Sequence, residues 1–101
     1  MSQARLSRRA ERDLDEICNY IAADNPDAAI RLRKTIFALA DLLAQHPAIG
    51  KAILKAGPSF SEIRWLVVPR YRNYILFYRP FDSGIVVVRI LHAAQDWTRL
   101  F

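Results

Sequence analysis

At 101 residues, 52% apolar and 25% charged, the chain has the size and composition of one globular domain, too short for two independent cores and free of low-complexity tracts. Charge is uneven: residues 1–50 carry seven bases and seven acids, residues 51–101 eight and three, so the formal net charge of +5 belongs to the second half. Apolar runs are broken by Asp41 and Arg89, short of the roughly 20 residues of a membrane span, and a single cysteine, Cys18, excludes an intrachain disulfide.

Residues 3–6 form a short opening segment that ends at Ser7, a good N-cap type. Ala10, Leu14, Ile17 and Ile21 then recur at helical spacing. Arg8, Arg9, Glu11, Arg12, Asp13, Asp15 and Glu16 supply the opposite, solvated face, with Arg12 and Glu16 placed to pair. Cys18 takes an inward position as a small core residue. This charged start leads into an amphipathic helix, not a signal segment, so the expected location is the cytoplasm, with no membrane partner.

Asn25-Pro26-Asp27 is a second helix start: Asn25 can cap, Pro26 suits the first turn, and Asp27 complements the positive helix end. Ala29, Leu32, Ile36, Leu39 and Leu43 continue one apolar face, which predicts an antiparallel hairpin with the first helix. His46-Pro47 ends it, because proline disfavours helical geometry in the preceding residue. A loop containing Gly50, Lys51, Lys55, Gly57 and Pro58 follows.

Three β-rich segments are expected at 61–68, 72–78 and 84–91, joined by Pro69-Arg70-Tyr71 and by Arg79-Pro80-Phe81-Asp82-Ser83 as an antiparallel meander. They do not alternate cleanly between apolar and polar, and Ile85-Val86-Val87-Val88 puts apolar side chains on both faces. One helical hairpin covers one face, so the other calls for a partner, for residues 93–101, or for both. The basic half suits an acidic partner, either nucleic acid or an acidic protein segment, and equally a solvated surface.

The order of elements resembles the RelE/ParE superfamily, and local patterns agree with its ParE-like branch. These are Ala10-Glu11-Arg12-Asp13-Leu14-Asp15-Glu16-Ile17 before Tyr20-Ile21, Asn25-Pro26-Asp27-Ala28-Ala29, His46-Pro47-Ala48-Ile49-Gly50, Arg64, the stretch from Tyr71 to Tyr78, and the stretch from Arg89 to Trp97. The resemblance implies a single α+β toxin domain over residues 1–101, with a short N-terminal strand, an α-helical hairpin, a three-stranded antiparallel meander (β-α-α-β-β-β) and a short tail. It implies the toxin of a type II toxin–antitoxin, or plasmid stabilisation, module. The partner would be a ParD-like antitoxin whose acidic or disordered C-terminal segment folds across the toxin, and DNA would be bound only through the antitoxin complex. Candidate antitoxin contacts are Trp65, Tyr74 and Tyr78 as apolar anchors and Arg64, Arg72 and Arg89 as charge partners.

The superfamily includes ribosome-dependent mRNA endonucleases and proteins that poison DNA gyrase. RNA cleavage needs a base, an acid and several fixed cations around the phosphorane. Where nuclease members carry a mid-strand arginine this chain has Ile75, and where they carry a basic residue after the last strand it has Ala94 or Gln95. Leu100 and Phe101 stand where a nuclease tyrosine is expected. A surviving nuclease set would be Arg64, Arg72, Arg89 and His92, with His92 as the titrating group; His46 reads as a helix-end residue. There is no Gly-rich phosphate loop and no Ser-His-Asp pattern, and neither cofactor nor metal is expected. The expectation is therefore a non-enzymatic inhibitor of DNA gyrase, with the tail residues Gln95, Asp96, Trp97, Arg99 and Phe101 contacting the target or controlling activity; the alternatives are a ribosome-dependent mRNA endoribonuclease of the RelE type and, third, a basic nucleic-acid-binding module with salt-dependent affinity of its own.

Overall fold

The computed structural model describes residues 3–53 and 63–95. Ser7 caps the first helix as its residue type predicts: its backbone is extended and its Oγ accepts from the Ala10 N–H at 3.0 Å. Helix α1 runs Arg8–Ala22 and helix α2 Pro26–Gln45. Asn25 caps α2 by accepting from the Ala28 N–H at 3.1 Å, Pro26 opens it, and His46 closes it. Strands are β1 Ala4–Leu6, β2 Lys51–Ala52, β3 Arg64–Val68, β4 Tyr71–Phe81 and β5 Gly84–His92.

The strands form one sheet in the order β1-β5-β4-β3-β2. β3, β4 and β5 make the expected antiparallel meander, while β1 lies parallel to β5 at the edge, so the sheet is mixed. An added Cβ at Gly84 would overlap the Gln3 carbonyl, so only glycine lets the opening segment approach β5 this closely.

The connections are shorter than expected. Val68 pairs with Tyr71, leaving Pro69-Arg70 as a two-residue turn, and Phe81 pairs with Gly84, leaving Asp82-Ser83 as another. Each turn contains a left-handed residue that is not glycine, the second position of the first turn and the first position of the other: Arg70 has φ 68° and Asp82 φ 51°. Pro80 lies inside β4, beyond the last register pair with β3, where its missing N–H interrupts no described β3–β4 bond. β2, which falls in the expected loop, is too brief to show a period.

Two clusters explain why β4 lacks alternation. Leu76 and Tyr78 face the helices with Val68, Ile85, Val87 and Ile90, against Ala10, Leu14 and the α2 stripe from Ala29 to Leu43. Ile75 and Phe77 face the other way and cluster with Leu91, Ile53 and Ile63. All four consecutive β4 residues are at most 7% exposed. The second face thus has a cover the sequence reading did not assign: Ile53 and Ile63, joined by an Ile53 N–H to Ile63 carbonyl bond of 3.1 Å.

Asp13 corrects the helix reading. It is 5% exposed and belongs to the interior, not to the charged outer face. β5 carries a bulge beside Phe77 and Tyr78, so that Val87 and Ile90, three apart, both face the helices. The backbone groups released there find partners on α1 and its cap. Ser7 Oγ donates to the Val88 carbonyl at 3.0 Å, and the Ile90 N–H donates to Asp13 Oδ2 at 3.0 Å. The first helix is fastened to the last strand at its most irregular point.

Candidate functional site

Arg89 sits in that bulge and is held by the same carboxylate. Its Nε donates to Asp13 Oδ2 at 2.8 Å and its Nη2 to Asp13 Oδ1 at 3.2 Å, a forked pair with both side chains largely shielded from solvent. Arg89 is therefore a strut between α1 and β5, not a cation presented to a ligand.

Arg64 is also directed inward. It pairs across the ladder with Tyr78, and its Nη1 donates to the Gly50 carbonyl at 2.7 Å. Tyr78 is wholly buried; its hydroxyl donates to the Pro47 carbonyl at 2.6 Å and accepts from the Gly50 N–H at 2.8 Å. The pair clamps the turn that follows α2. A Cβ at Gly50 would lie 2.6 Å from the Tyr78 hydroxyl oxygen, so glycine is required where backbone meets ring. Burial pushes the Tyr78 phenol above its ordinary range, opposed by the Gly50 N–H and by Arg64. The expected surface role of Tyr78 is corrected: the ring is part of the core under the helices.

Arg72 and His92 remain at the surface, at the end of the sheet where β4 begins and β5 finishes. Arg72 lines an open hollow of about 570 Å³ with Val67, Val68 and Pro69. His92 pairs with Tyr74, their rings edge to face at 5.5 Å. Its Nδ1 accepts the Ala94 N–H at 3.0 Å, its own N–H donates to Gln95 Oε1 at 3.0 Å, and the Gln95 N–H returns to the His92 carbonyl at 3.0 Å. Tyr74 is half-buried, and burial raises its phenol pKa, with Tyr20 and Cys18 acting in the same direction. Trp65 is half-buried on the second face with the Lys51 ammonium 5.6 Å from its ring centre. Asp96, Trp97, Arg99 and Phe101 lie outside the described residues. Among the described residues no three His, Cys, Asp or Glu side chains are grouped as a metal site, and no helix is long and apolar enough to cross a membrane.

The sequence reading missed an apolar groove on the outer side of the helical hairpin. It encloses about 620 Å³ and is lined by Cys18, Ala22, Ala29, Ile30, Arg33 and Phe37 among others. Ile30 is 54% and Phe37 46% exposed. The available signal was their spacing of seven on α2, outside the core stripe. Arg33 on the rim is tied to Asp15 at 3.0 Å, while burial raises the Cys18 thiol pKa against the pull of Arg33.

Residues 4–97 match the family described as the ParE toxin of the type II toxin–antitoxin system parDE. The chain belongs to the ParE toxin family. Relatives of this ParE chain include the protein Y4kP of Sinorhizobium fredii, a candidate toxin, 35% identical over 102 residues and 99% of each chain. Another is toxin RelE2 of Caulobacter vibrioides, 35% identical over 95 residues, covering 94% of this chain and 99% of the relative. Among solved structures, a chain from the chromosomal ParDE toxin–antitoxin system of P. aeruginosa shares the fold, with a TM-score of 0.70 at 24% identity, over 91% of this chain and 96% of that one. This chain is thus a ParE-type toxin of a type II toxin–antitoxin system, and its elements follow the order expected from the sequence with the short strand β2 added before the meander.

Proposed function

We propose that this toxin is not an enzyme, that it acts in the cytoplasm by binding and inhibiting DNA gyrase, and that a ParD-like antitoxin with an acidic C-terminal segment neutralises it. The observation that carries the reading is the fate of the four groups a nuclease would need. Arg64 is engaged with the Gly50 carbonyl and Arg89 with Asp13, leaving Arg72 and His92 at the surface. A phosphorane needs several convergent cations, and two of the four candidates are committed to holding the fold.

Antitoxin binding is supported by what stays open. The hairpin groove offers apolar seats at Ile30 and Phe37 beside the exposed Lys34, a chemistry suited to an amphipathic segment with acidic residues. Arg72, Trp65 and Tyr74 are half or fully accessible and remain antitoxin contacts in this reading. Gln95, Asp96, Trp97, Arg99 and Phe101 are assigned to target contact or control of activity.

Purified toxin should stop gyrase supercoiling, and the ParD-like product of an adjacent reading frame should restore it. Cleavage of mRNA on ribosomes with gyrase untouched would refute the proposal. That outcome is the second reading, an endoribonuclease, favoured by relatives named RelE and by the shared location of Arg72 and His92. Its signature would be loss of cleavage in Arg72→Ala and His92→Ala variants that stay folded.

A further inference from the structure

Charge divides between the layers of this molecule. The five strands carry Arg5, Lys51, Arg64, Arg72, Arg79 and Arg89 and no Asp or Glu, whereas Glu11, Asp13, Asp15, Glu16, Asp27 and Asp41 belong to the helices. With Arg64 and Arg89 engaged internally, two arginines stand in one row on the opposite side of the sheet. Arg5 is beside Val86 in the parallel pairing and Arg79 is beside Val86 in the antiparallel one. Their neighbours Ala4, Leu6, Ile85, Val87 and Tyr78 pack toward α1 and α2, so alternation turns Arg5, Val86 and Arg79 to the opposite face. At the usual strand spacing the two arginine Cα atoms are about 10 Å apart.

The Arg79 guanidinium lies 5.5 Å from the centre of the Phe81 ring, which is 39% exposed. Stacking of this kind steadies a guanidinium while its N–H edges stay available. Lys51, over Trp65, adds a third cation on the same face. Among the described residues the acid next to the row is Asp82, in the β4–β5 turn.

We propose that the face of the sheet turned away from α1 and α2, around Arg5 and Arg79, contacts the phosphate backbone of nucleic acid, by charge and without reading bases. A peptide gains its affinity from apolar anchors in pockets. The hollow beside this row is only about 120 Å³, against about 620 Å³ in the hairpin groove. Phosphates need no pocket: outward cations at fixed separation suffice, and guanidinium forks fit phosphate oxygens in pairs. This goes beyond the expectation that DNA is reached only through the antitoxin, and it holds whether the toxin acts on gyrase or on the ribosome.

The test is fluorescence anisotropy of a labelled 20-base-pair DNA duplex and a 20-nucleotide RNA with the purified full chain, titrated with sodium chloride. Binding should be salt-dependent; R5E/R79E should weaken it at least tenfold at 100 mM salt and reduce the salt slope by about two. The control R12E/R31E, an equal charge change at exposed positions of α1 and α2, should leave both values within twofold. Thermal melts establish that each variant is folded, and R5Q/R79Q serves if charge reversal disturbs the sheet. Comparing duplex with RNA identifies the preferred backbone. No salt-dependent binding by the parent chain, undiminished binding in R5E/R79E, equal loss in the control, or displacement by polyglutamate as readily as by unlabelled DNA would each overturn the proposal; the last would mark an acidic-protein site.

Discussion

Replacing Asp13 with alanine removes the acceptor for both Arg89 bonds and for the Ile90 N–H, all between 2.8 and 3.2 Å. Removing one partner of a buried ion pair costs about 3–5 kcal/mol, because the other charge is left uncompensated. The Arg89 side chain keeps 16% of its surface, which places the expected loss toward the lower end, at about 3 kcal/mol. An unsatisfied backbone N–H alone accounts for about 1–3 kcal/mol. The double variant Asp13→Ala/Arg89→Met should therefore recover roughly 1–2 kcal/mol relative to Asp13→Ala, since the stranded charge is gone but the orphan N–H persists. Urea unfolding followed by circular dichroism measures both, with an unchanged m-value as the sign that the compared states are the same. For a domain of this size the single variant should melt at least 10 °C lower, at about 4–8 °C per kcal/mol. A loss below about 1 kcal/mol for Asp13→Ala, or a double variant no better than the single, would refute the reasoning.

Gly50→Ala should cost about 1–3 kcal/mol by overpacking, since the new Cβ meets the buried Tyr78 ring, and denaturant titration checks it. Tyr78→Phe should lose a similar amount by stranding the Gly50 N–H and the Pro47 carbonyl. The same phenol has a pH signature. Its folded pKa is raised, so its contribution is complete below the unfolded value near 10 and is lost as pH climbs through the folded value. Stability measured above about pH 10 should fall less steeply in Tyr78→Phe, with Tyr74 supplying a remaining slope. Cys18, buried and with its thiol pKa raised, should react with a thiol-specific reagent at pH 8 far more slowly in the native chain than in urea; equal rates would contradict the assigned burial.

Features governed by short-range chemistry were legible in the sequence. Ser7, Asn25 and Pro26 mark helix ends because capping depends on a residue and its next three neighbours. The stripe from Ala29 to Leu43 marks a face because helical period is local. What escaped depends on contacts across the chain. Asp13 looks like any charged helix residue until the bulge in β5, 77 positions later, presents an unpaired N–H. Arg64 and Arg89 were grouped with Arg72 by type, but Gly50 and Asp13 turn them inward, and no spacing rule announces a partner so distant in sequence. Tyr78 fits a surface anchor and a core clamp equally well until the Pro47 carbonyl is found beside its hydroxyl. The excess of base in the second half was plain, whereas its division into inward struts and an outward row needed the strand register.

The bond from Ser7 to Val88 spans 81 residues, and β1 has its strand partner in β5. During synthesis the opening segment therefore leaves the ribosome with nothing to pair with, and at about 5–20 residues per second it waits roughly 4–16 s for its other half. Neither the bulge brace nor the sheet edge can form before the last strand is made. The toxin consequently acquires its shape only after β5 is made, and a chain cut short before β5 would yield a loose hairpin instead of a weakened poison.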